Sequence, residues 1–240
     1  MDISDILQAA VSYGASDVHI VPGRSPFLRI HGEMKSLDTP AMSSKETRQI
    51  IFAALSEKQI QAFDKENELD TSLTADDIGR FRMNVLNQKD GVGAVLRVIP
   101  SKIPSPEDLG LSETAQKLTE LARGLVLVTG PTGSGKSTTL ASMINLINQR
   151  RKQHILTIED PVEYVYPKSK CVVTQREIGP NSKSFKASLK RAMRQDPDII
   201  LVGEMRDLET IAAALTLAET GHLVFATLHT TDAAQTVDRI

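Results

Sequence analysis

The sequence predicts an α/β protein with two parts, a smaller α+β part and a larger part built around a mainly parallel sheet. A segment with three prolines in seven residues, Pro100–Pro106, separates two regions of different pattern. After this segment, short apolar runs alternate with amphipathic stretches, which is typical of a parallel sheet covered by helices on both faces. One of these runs passes directly into a glycine-rich loop, in the sequence LVLVTGPTGSGKST from Leu125 to Thr138.

Composition limits the kind of protein this chain can be. Its 240 residues are sufficient for one large or two small cores, and its net charge of −2 gives no general attraction to nucleic acid, so we expect no direct nucleic-acid contact. A single cysteine, Cys171, excludes an intrachain disulfide and agrees with a reducing cytosol. The first residues lack the basic region and apolar run of a signal peptide, and no apolar stretch approaches a membrane span of roughly 20 residues. We therefore expect a cytoplasmic protein with no membrane insertion.

The first predicted domain covers residues 1–99. Ile3, Ile6, Leu7, Ala10 and Val11 recur at helical spacing and predict a first helix. Further helices are predicted at 43–55 and 56–64, and strands at 17–21, 27–30, 68–73, 80–87 and 93–99. This mixture indicates an α+β domain.

A proline-rich linker at 100–110 leads to the second predicted domain at 111–240. Its strands are predicted at 125–129, 154–158, 171–174, 199–202 and 223–227. One helix should bury Leu140, Met143, Ile144 and Ile147, and a later one, ending at Gly221, should bury Leu208, Ile211, Ala212 and Leu215. An amphipathic segment begins near Asp232, so we expect this domain to continue beyond Ile240.

The glycine-rich loop fits the phosphate-loop pattern G-x-x-x-x-G-K-[ST] from Gly130 to Ser137. Backbone N–H groups of such a loop surround nucleotide phosphates, Lys136 reaches the β- and γ-phosphates, and the Ser137 hydroxyl ligates Mg²⁺. The predicted ATP-binding residues are Gly130, Pro131, Thr132, Gly133, Ser134, Gly135, Lys136, Ser137 and Thr138. A flexible glycine turn would not explain the lysine and serine at the start of a helix.

Hydrolysis also requires an acid near the phosphates, and Glu204 follows the apolar strand 199–202. The aspartate that usually ends such a strand is replaced here by Gly203. We therefore expect Glu204 to align or polarise water rather than to bind Mg²⁺ directly. The alternative is a solvated carboxylate at the end of a strand.

A second acidic group follows the strand 154–158 and contains Glu159, Asp160 and Glu163. Three carboxylates so close in sequence repel one another unless a cation or hydrogen-bond donors compensate. Glu163 is the candidate general base of this group, and the alternative is a set of exposed turn residues.

His222 precedes the last predicted strand and His229 follows it. A histidine at the carboxyl end of a strand beside the phosphate loop can donate to the γ-phosphate, which makes His229 a candidate. Metal binding by the pair is not expected, because no third ligand has a recognisable spacing. A core histidine with satisfied hydrogen bonds is the alternative for His222.

Basic residues form two further groups. Arg80 and Arg82 share one strand face, opposite Phe81 and Met83, and Arg97 interrupts an apolar strand. These arginines either form internal salt bridges or contact a nucleotide on a neighbouring subunit. Lys183, Lys186, Lys190, Arg191 and Arg194 accompany a stripe of Phe185, Leu189, Ala192 and Met193, and form either an anion-binding or a solvated or subunit-facing surface.

Together these motifs resemble the secretion-type ATPases, and within them the branch that retracts type IV pili in twitching motility. The matching stretches include ASDVHIVPGRSPFLRIHGE, GLVLVTGPTGSGKSTTLA, HILTIEDPVEY, VTQREIG, RQDPDIILVGEMRDLETI and AETGHLVFATLHTTDAAQTVDRI. The resemblance implies a PAS-like N-terminal domain before a RecA-like P-loop NTPase core. It also implies a homohexamer that hydrolyses Mg²⁺-ATP between subunits.

Position by position, the resemblance gives catalytic roles to Glu204, Glu163, Lys136, Arg82, Arg97 and His229. It implies a cytoplasmic enzyme held at the inner membrane through a pilus platform protein. A pilus-extension or type II secretion ATPase, a nucleotide-gated regulatory scaffold and a small-molecule kinase are the alternatives.

Overall fold

A computed structural model describes residues 1–100, 102–230 and 232–240. The chain divides into two compact units, Met1–Ser101 and Lys102–Ile240. Within the described residues, no helix has both the length and the apolar character needed to cross a membrane. The two units are described separately below.

The first unit is a six-stranded antiparallel sheet with three helices. Its helices are α1 (Ile3–Ser12), α2 (Ser44–Ala53) and α3 (Glu57–Glu66). Its strands are β1 (Asp17–Ile20), β2 (Phe27–Ile30), β3 (Glu33–Ser36), β4 (Glu68–Ala75), β5 (Gly79–Gln88) and β6 (Gly91–Ile99). The spatial order is β3-β2-β1-β6-β5-β4, and every pairing is antiparallel.

Local sequence explains where the helices of this unit begin. Asp2 and Asp5 form a reciprocal capping box at the start of α1, and Ser43 and Glu46 form another at α2. Phe81 and Met83 of β5 are fully buried, which confirms the predicted alternation of side chains along that strand. On α1, Ile6, Leu7 and Ala10 are buried, whereas Val11 is exposed to solvent.

The second unit contains a five-stranded parallel sheet. Its strands are β7 (Gly124–Thr129), β8 (His154–Glu159), β9 (Val172–Glu177), β10 (Ile199–Val202) and β11 (Leu223–Leu228). Its helices are α4 (Glu113–Lys117), α5 (Lys136–Arg150), α6 (Phe185–Ala192), α7 (Leu208–Glu219) and α8 (Ala233–Arg239). The order is β7-β11-β10-β8-β9, so the carboxyl ends of all five strands lie along one edge.

Helices cover both faces of this sheet, and β10 and β11 are buried throughout. On α5, Leu140, Met143, Ile144 and Ile147 are buried as predicted. This helix therefore fixes the position of the glycine-rich loop that precedes it.

Two predicted helix faces are wrong in part. On α7 the buried residues are Ile211, Ala214, Leu217 and Ala218, whereas Leu208 is 78% exposed and Ala212 is also exposed. Leu208 is the first helical residue after the N-cap Asp207, before the helix reaches the sheet. Met193 is exposed because α6 ends at Ala192 and the chain continues as a 3₁₀ turn.

Candidate active site

The loop between β7 and α5 has a backbone that requires glycine at two places. Gly130 has a φ of 148°, and a Cβ there would lie 2.7 Å from Ser134 Oγ. Gly135 caps α5 with a φ of 88°, in the left-handed region. The chain therefore curls back on itself before the helix, and the N–H groups of the first turn of α5 are directed toward the loop.

Lys136 is the first residue of α5, and its side chain is buried within this curl. Its Nζ atom donates hydrogen bonds to the carbonyl oxygens of Gly130 and Pro131, each at 2.9 Å. The ammonium group thus lies against the loop backbone. Together with the helix dipole it makes this loop a positively charged site.

The next two residues of α5 carry hydroxyl groups. Thr138 Oγ1 lies 3.1 Å from the hydroxyl oxygen of Tyr164, which belongs to the loop between β8 and β9. Ser137 is partly exposed at the start of the helix. The phosphate-loop helix and the acidic loop are therefore connected directly by a side-chain hydrogen bond.

Strand order decides which side chains stand beside the loop. β11 is the neighbour of β7, and Leu228 pairs with Thr129, so His229 follows at the level of Gly130. The strand that precedes Glu204 does not adjoin the phosphate-loop strand, because β11 lies between β7 and β10.

Glu204 is nevertheless joined to the histidine that stands beside the loop. His229 Nε2 lies 3.1 Å from Glu204 Oε1, and Arg206 Nε donates to Oε2 at 2.8 Å. Each carboxylate oxygen is therefore oriented by one nitrogen. A carboxylate has about four lone-pair positions, so acceptor capacity remains for a water molecule.

Gly203 brings the end of β10 close to β8. Its N–H donates to the Ile158 carbonyl at 2.8 Å, and its own carbonyl accepts from Thr227 Oγ1 at 2.5 Å. A Cβ at this position would lie 3.2 Å from the Cα of Glu159. A side chain at this position would therefore need the backbone of β8 to give by a few tenths of an ångström, and the acid of this strand end is Glu204, one residue later.

The acidic group after β8 separates into buried and exposed members. Glu159 is 8% exposed, and burial raises the pKa of its carboxyl group to about 7, against hydrogen bonds from Thr157, the Glu163 backbone and Gln175. Asp160 and Glu163 are exposed. Repulsion by Glu163 adds a smaller increase to the pKa of Glu159, so protonation of Glu159 relieves the crowding that the sequence indicates.

Side chains of β9 hold the acidic loop in place. Gln175 Nε2 donates to the Tyr164 carbonyl at 2.8 Å, and its Oε1 accepts from the Tyr166 N–H at 3.1 Å. Glu177 Oε2 accepts from the Val162 N–H at 3.1 Å. The backbone that carries Glu163 is thus fixed on both sides of that residue.

The chain was compared with known proteins. All of residues 1–240 match the family described as type II/IV secretion system protein. The chain belongs to this family. It is 50% identical over 240 residues to the type IV pilus retractation ATPase PilT of Pseudomonas aeruginosa, covering 100% of the chain and 70% of that relative. It is 51% identical over 216 residues to a twitching motility protein of Neisseria gonorrhoeae, covering 90% of the chain and 58% of that relative.

A solved structure gives the same result for this member of the secretion family. The chain superposes on the pilus retraction motor PilT with bound ADP, with a TM-score of 0.97 and 48% identity, covering 100% of the chain and 70% of that structure. The α/β fold, with one parallel and one antiparallel sheet, is therefore the fold of that ATPase.

The two candidate histidines of this secretion-family chain, His222 and His229, differ in their surroundings. His222 precedes β11, at the amino end of the strand, away from the edge that carries Glu204 and His229. Its Nδ1 lies 2.9 Å from the Leu217 carbonyl and 3.3 Å from Thr220 Oγ1. The satisfied-histidine interpretation therefore describes His222.

The predicted arginines belong to the first unit. Arg82 is exposed on β5, and Arg80 Nη2 lies 3.4 Å from Ser72 Oγ. Arg97 forms the internal salt bridge that was one of the two alternatives, because its Nε donates to Asp17 Oδ1 at 3.0 Å, and its side chain is 69% exposed. The internal salt bridge thus leaves the guanidinium accessible.

Several residues of the site were not found by sequence reasoning. Arg206 and Gln175 lie inside stretches that support the family resemblance, yet neither was given a role. Tyr164 ends the stretch HILTIEDPVEY, which supports the resemblance as well, and it too was given no role. Among the described residues, no group of three histidine, cysteine, aspartate or glutamate side chains could hold a metal ion.

Proposed function

We propose that this chain is the ATP-hydrolysing part of a motor that retracts type IV pili. The observation that carries the proposal is the juxtaposition of Lys136 in its loop with the Glu204–His229 pair along one sheet edge. Identity of about one half to a retraction ATPase and to a twitching motility protein supports the same conclusion.

The residues of the second unit divide the work of hydrolysis. The loop amides from Gly130 to Gly135 and the Lys136 ammonium hold the phosphates. His229 donates to the γ-phosphate from the neighbouring strand. Glu204 polarises the attacking water through the acceptor capacity that His229 and Arg206 leave, and Glu163 serves as the second acid.

The donor set at the loop fits Mg²⁺. This ion prefers oxygen ligands and binds through one or two protein groups together with phosphates and water, and Ser137 supplies a hydroxyl at the helix start. When bound, Mg²⁺ would neutralise charge on the phosphate oxygens. Glu204 is already held by two nitrogens, which favours its role toward water rather than toward the metal.

We further propose that the motor is a homohexamer with sites shared between subunits. Arg82 and Arg97 of a PAS-like domain contact the nucleotide held by a neighbouring RecA-like core, where guanidinium groups stabilise charge in the transition state. Segment 100–110 is the hinge that converts nucleotide state into domain motion. The ring works at the cytoplasmic side of the inner membrane, on a pilus platform protein.

The test is ATPase rate against protein concentration, with sedimentation on the same samples. We expect activity to rise as hexamers form and to be abolished in Lys136→Ala. Glu204→Gln should retain ATP binding but turn over at least roughly 10²-fold more slowly. The matched control is Glu219→Gln, an exposed acid of the same unit that lies outside segment 100–110, which should behave as wild type.

Two results would contradict the proposal. Wild-type turnover by Glu204→Gln would remove that residue from the mechanism. Activity independent of concentration in a stable monomer would place the whole site within one subunit.

A further inference from the structure

Four charged residues form one row across the sheet of the first unit. Asp17 on β1 pairs with Arg29 on β2 and with Arg97 on β6, and Arg97 pairs with Arg82 on β5. Residues directly opposite one another in antiparallel strands share a face and have Cβ atoms about 5 Å apart. The row therefore contains three guanidinium groups and a single carboxylate.

Asp17 is the buried centre of this row. It is 7% exposed, and its Oδ2 accepts from Ser16 Oγ at 2.8 Å while its Oδ1 accepts from Arg97 Nε at 3.0 Å. Burial by itself would raise the pKa of Asp17, but hydrogen bonds from Arg97 and Ser16 outweigh it and hold that pKa below its ordinary value. The carboxylate is therefore both fixed in place and ionised at neutral pH.

The two arginines beside Asp17 are held differently. Arg29 donates through Nη1 to the Gly32 carbonyl at 2.9 Å and has its Nε 3.9 Å from Asp17, so its far end is used within the fold. Among the residues that the structure describes, Arg97 is bound through Nε alone, and its exposed side chain leaves the outer N–H groups open to solvent. The contact with Asp17 thus fixes the stem of Arg97 without using the atoms that would bind an anion.

Arg82 lies directly opposite Arg97 and is exposed. Like charges in directly opposed positions destabilise a sheet, so the two guanidinium groups tend to separate. Asp17 is opposite Arg97 on the other side, so its negative charge offsets this repulsion at Arg97. The contact with Asp17 keeps the Arg97 side chain in its position opposite Arg82. The result is a pair of neighbouring guanidinium groups of the kind that phosphate oxygens bind.

We propose that Asp17 is a positioning residue that orients Arg97 toward the nucleotide of the neighbouring subunit. The proposal rests on the proposed function, in which Arg97 acts between subunits. Asp17 itself does not touch the nucleotide. Its loss leaves Arg97 present but unconstrained, so the rate falls although every group that contacts phosphate remains.

Mixed rings test this directly. One subunit carries Arg97→Ala and keeps an intact phosphate loop, and the other carries Lys136→Ala and keeps intact arginines. Neither alone hydrolyses ATP at the wild-type rate, but in the mixture the second subunit supplies Arg97 to the site of the first. We expect this mixture to recover at least tenfold more activity than either homogeneous ring.

Asp17→Asn is then added to one subunit at a time. In the Lys136→Ala subunit it should remove most of the recovered activity, because that subunit supplies Arg97. In the Arg97→Ala subunit it should have no effect. The matched control is Asp64→Asn in the Lys136→Ala subunit, since Asp64 forms only an exposed ion pair with Arg48 at 3.2 Å.

The outcomes separate the two proposals. Loss of recovery from both placements would mean that Asp17 is only structural, and loss from neither would mean that Arg97 does not need it; either overturns the positioning role. No recovery before Asp17 is changed would overturn the shared-site mechanism and this inference with it. Gel filtration and thermal unfolding measure whether the two kinds of subunit that carry Asp17→Asn fold and assemble equally.

Discussion

Replacement of Glu159 by glutamine should make the stability of the protein less dependent on pH. Burial raises the pKa of Glu159 from an ordinary value of 4.5 to about 7. The folded chain therefore holds a proton that the unfolded chain releases between these values. Below pH 4.5 Glu159 is protonated in both states and does not lower the free energy of unfolding. Above pH 7 folding must bury an ionised carboxylate, which lowers the free energy of unfolding.

The size of the effect follows from this shift. One pKa unit corresponds to about 1.4 kcal/mol, so ionised Glu159 lowers the free energy of unfolding by about 3 kcal/mol at pH 8. Glutamine keeps an Oε1 acceptor for Thr157, which donates at 2.6 Å, and never ionises. Part of this effect is already present at pH 5, so we expect Glu159→Gln to gain about 2.5 kcal/mol relative to wild type on going from pH 5 to pH 8.

The assay is urea unfolding followed by circular dichroism at pH 5, 6, 7 and 8. The substitution can also change stability by an amount that does not depend on pH, for example through an altered hydrogen bond. Such a change cancels when the difference from wild type at pH 5 is compared with that at pH 8. Glu107→Gln is the control, because that acid is exposed in the same unit. An equal difference between Glu159→Gln and wild type at every pH would refute the reasoning.

Three further predictions concern packing and hydrogen bonding in the second unit. Phe225→Ala removes a fully buried ring from β11 and should cost about 3–5 kcal/mol in urea unfolding, whereas Val172→Ala at an exposed position should change stability by less than about 0.5 kcal/mol. Gly203→Ala should lower the free energy of unfolding by about 1–3 kcal/mol, because its Cβ would lie 3.2 Å from the Cα of Glu159. An unchanged midpoint of urea unfolding would mean that β8 moves to make room for the Cβ without loss of stability. Tyr164→Phe removes the hydrogen bond to α5 and should cost about 1 kcal/mol, with faster hydrogen exchange in the acidic loop as its signature. Unaltered exchange there would show that the loop does not depend on the tyrosine hydroxyl.

Local signals explain what the sequence predicted well. The phosphate loop combines an apolar strand, required glycines and a helix with buried residues at regular spacing, so each part of the prediction supports the others. The strands at 27–30 and 199–202 have the same bounds in the structure. Helices α1 and α2 carry capping residues that are visible in the sequence.

Other features depend on partners that are distant in the chain. Strand β3 was not predicted, because all four residues of EMKS are exposed and show no apolar alternation. It exists because β2 offers an edge with backbone hydrogen-bonding groups. On α7, the position of the sheet rather than periodicity alone decides which face is buried.

The site shows the same limit. Sequence reasoning selected Glu163 among the acids after β8 and gave Glu159 no separate role. In the structure Glu159 is the buried member of the group and accepts hydrogen bonds from Thr157 and Gln175. Asp17 and Arg97 are 80 positions apart, and only the register of β1 with β6 brings them together. Charge pairing across strands is not encoded in any short motif.

The close approach at Gly203 also limits how this site can change during evolution. An aspartate at the end of β10 would require the backbone of β8 to give by a few tenths of an ångström, because a Cβ there would lie 3.2 Å from the Cα of Glu159. Moving the acid from Glu204 to that place would also take two substitutions, and the intermediate sequence would have two acids or none. Descendants of this chain are therefore expected to retain both glycine and glutamate as a unit, even where the surrounding surface diverges freely.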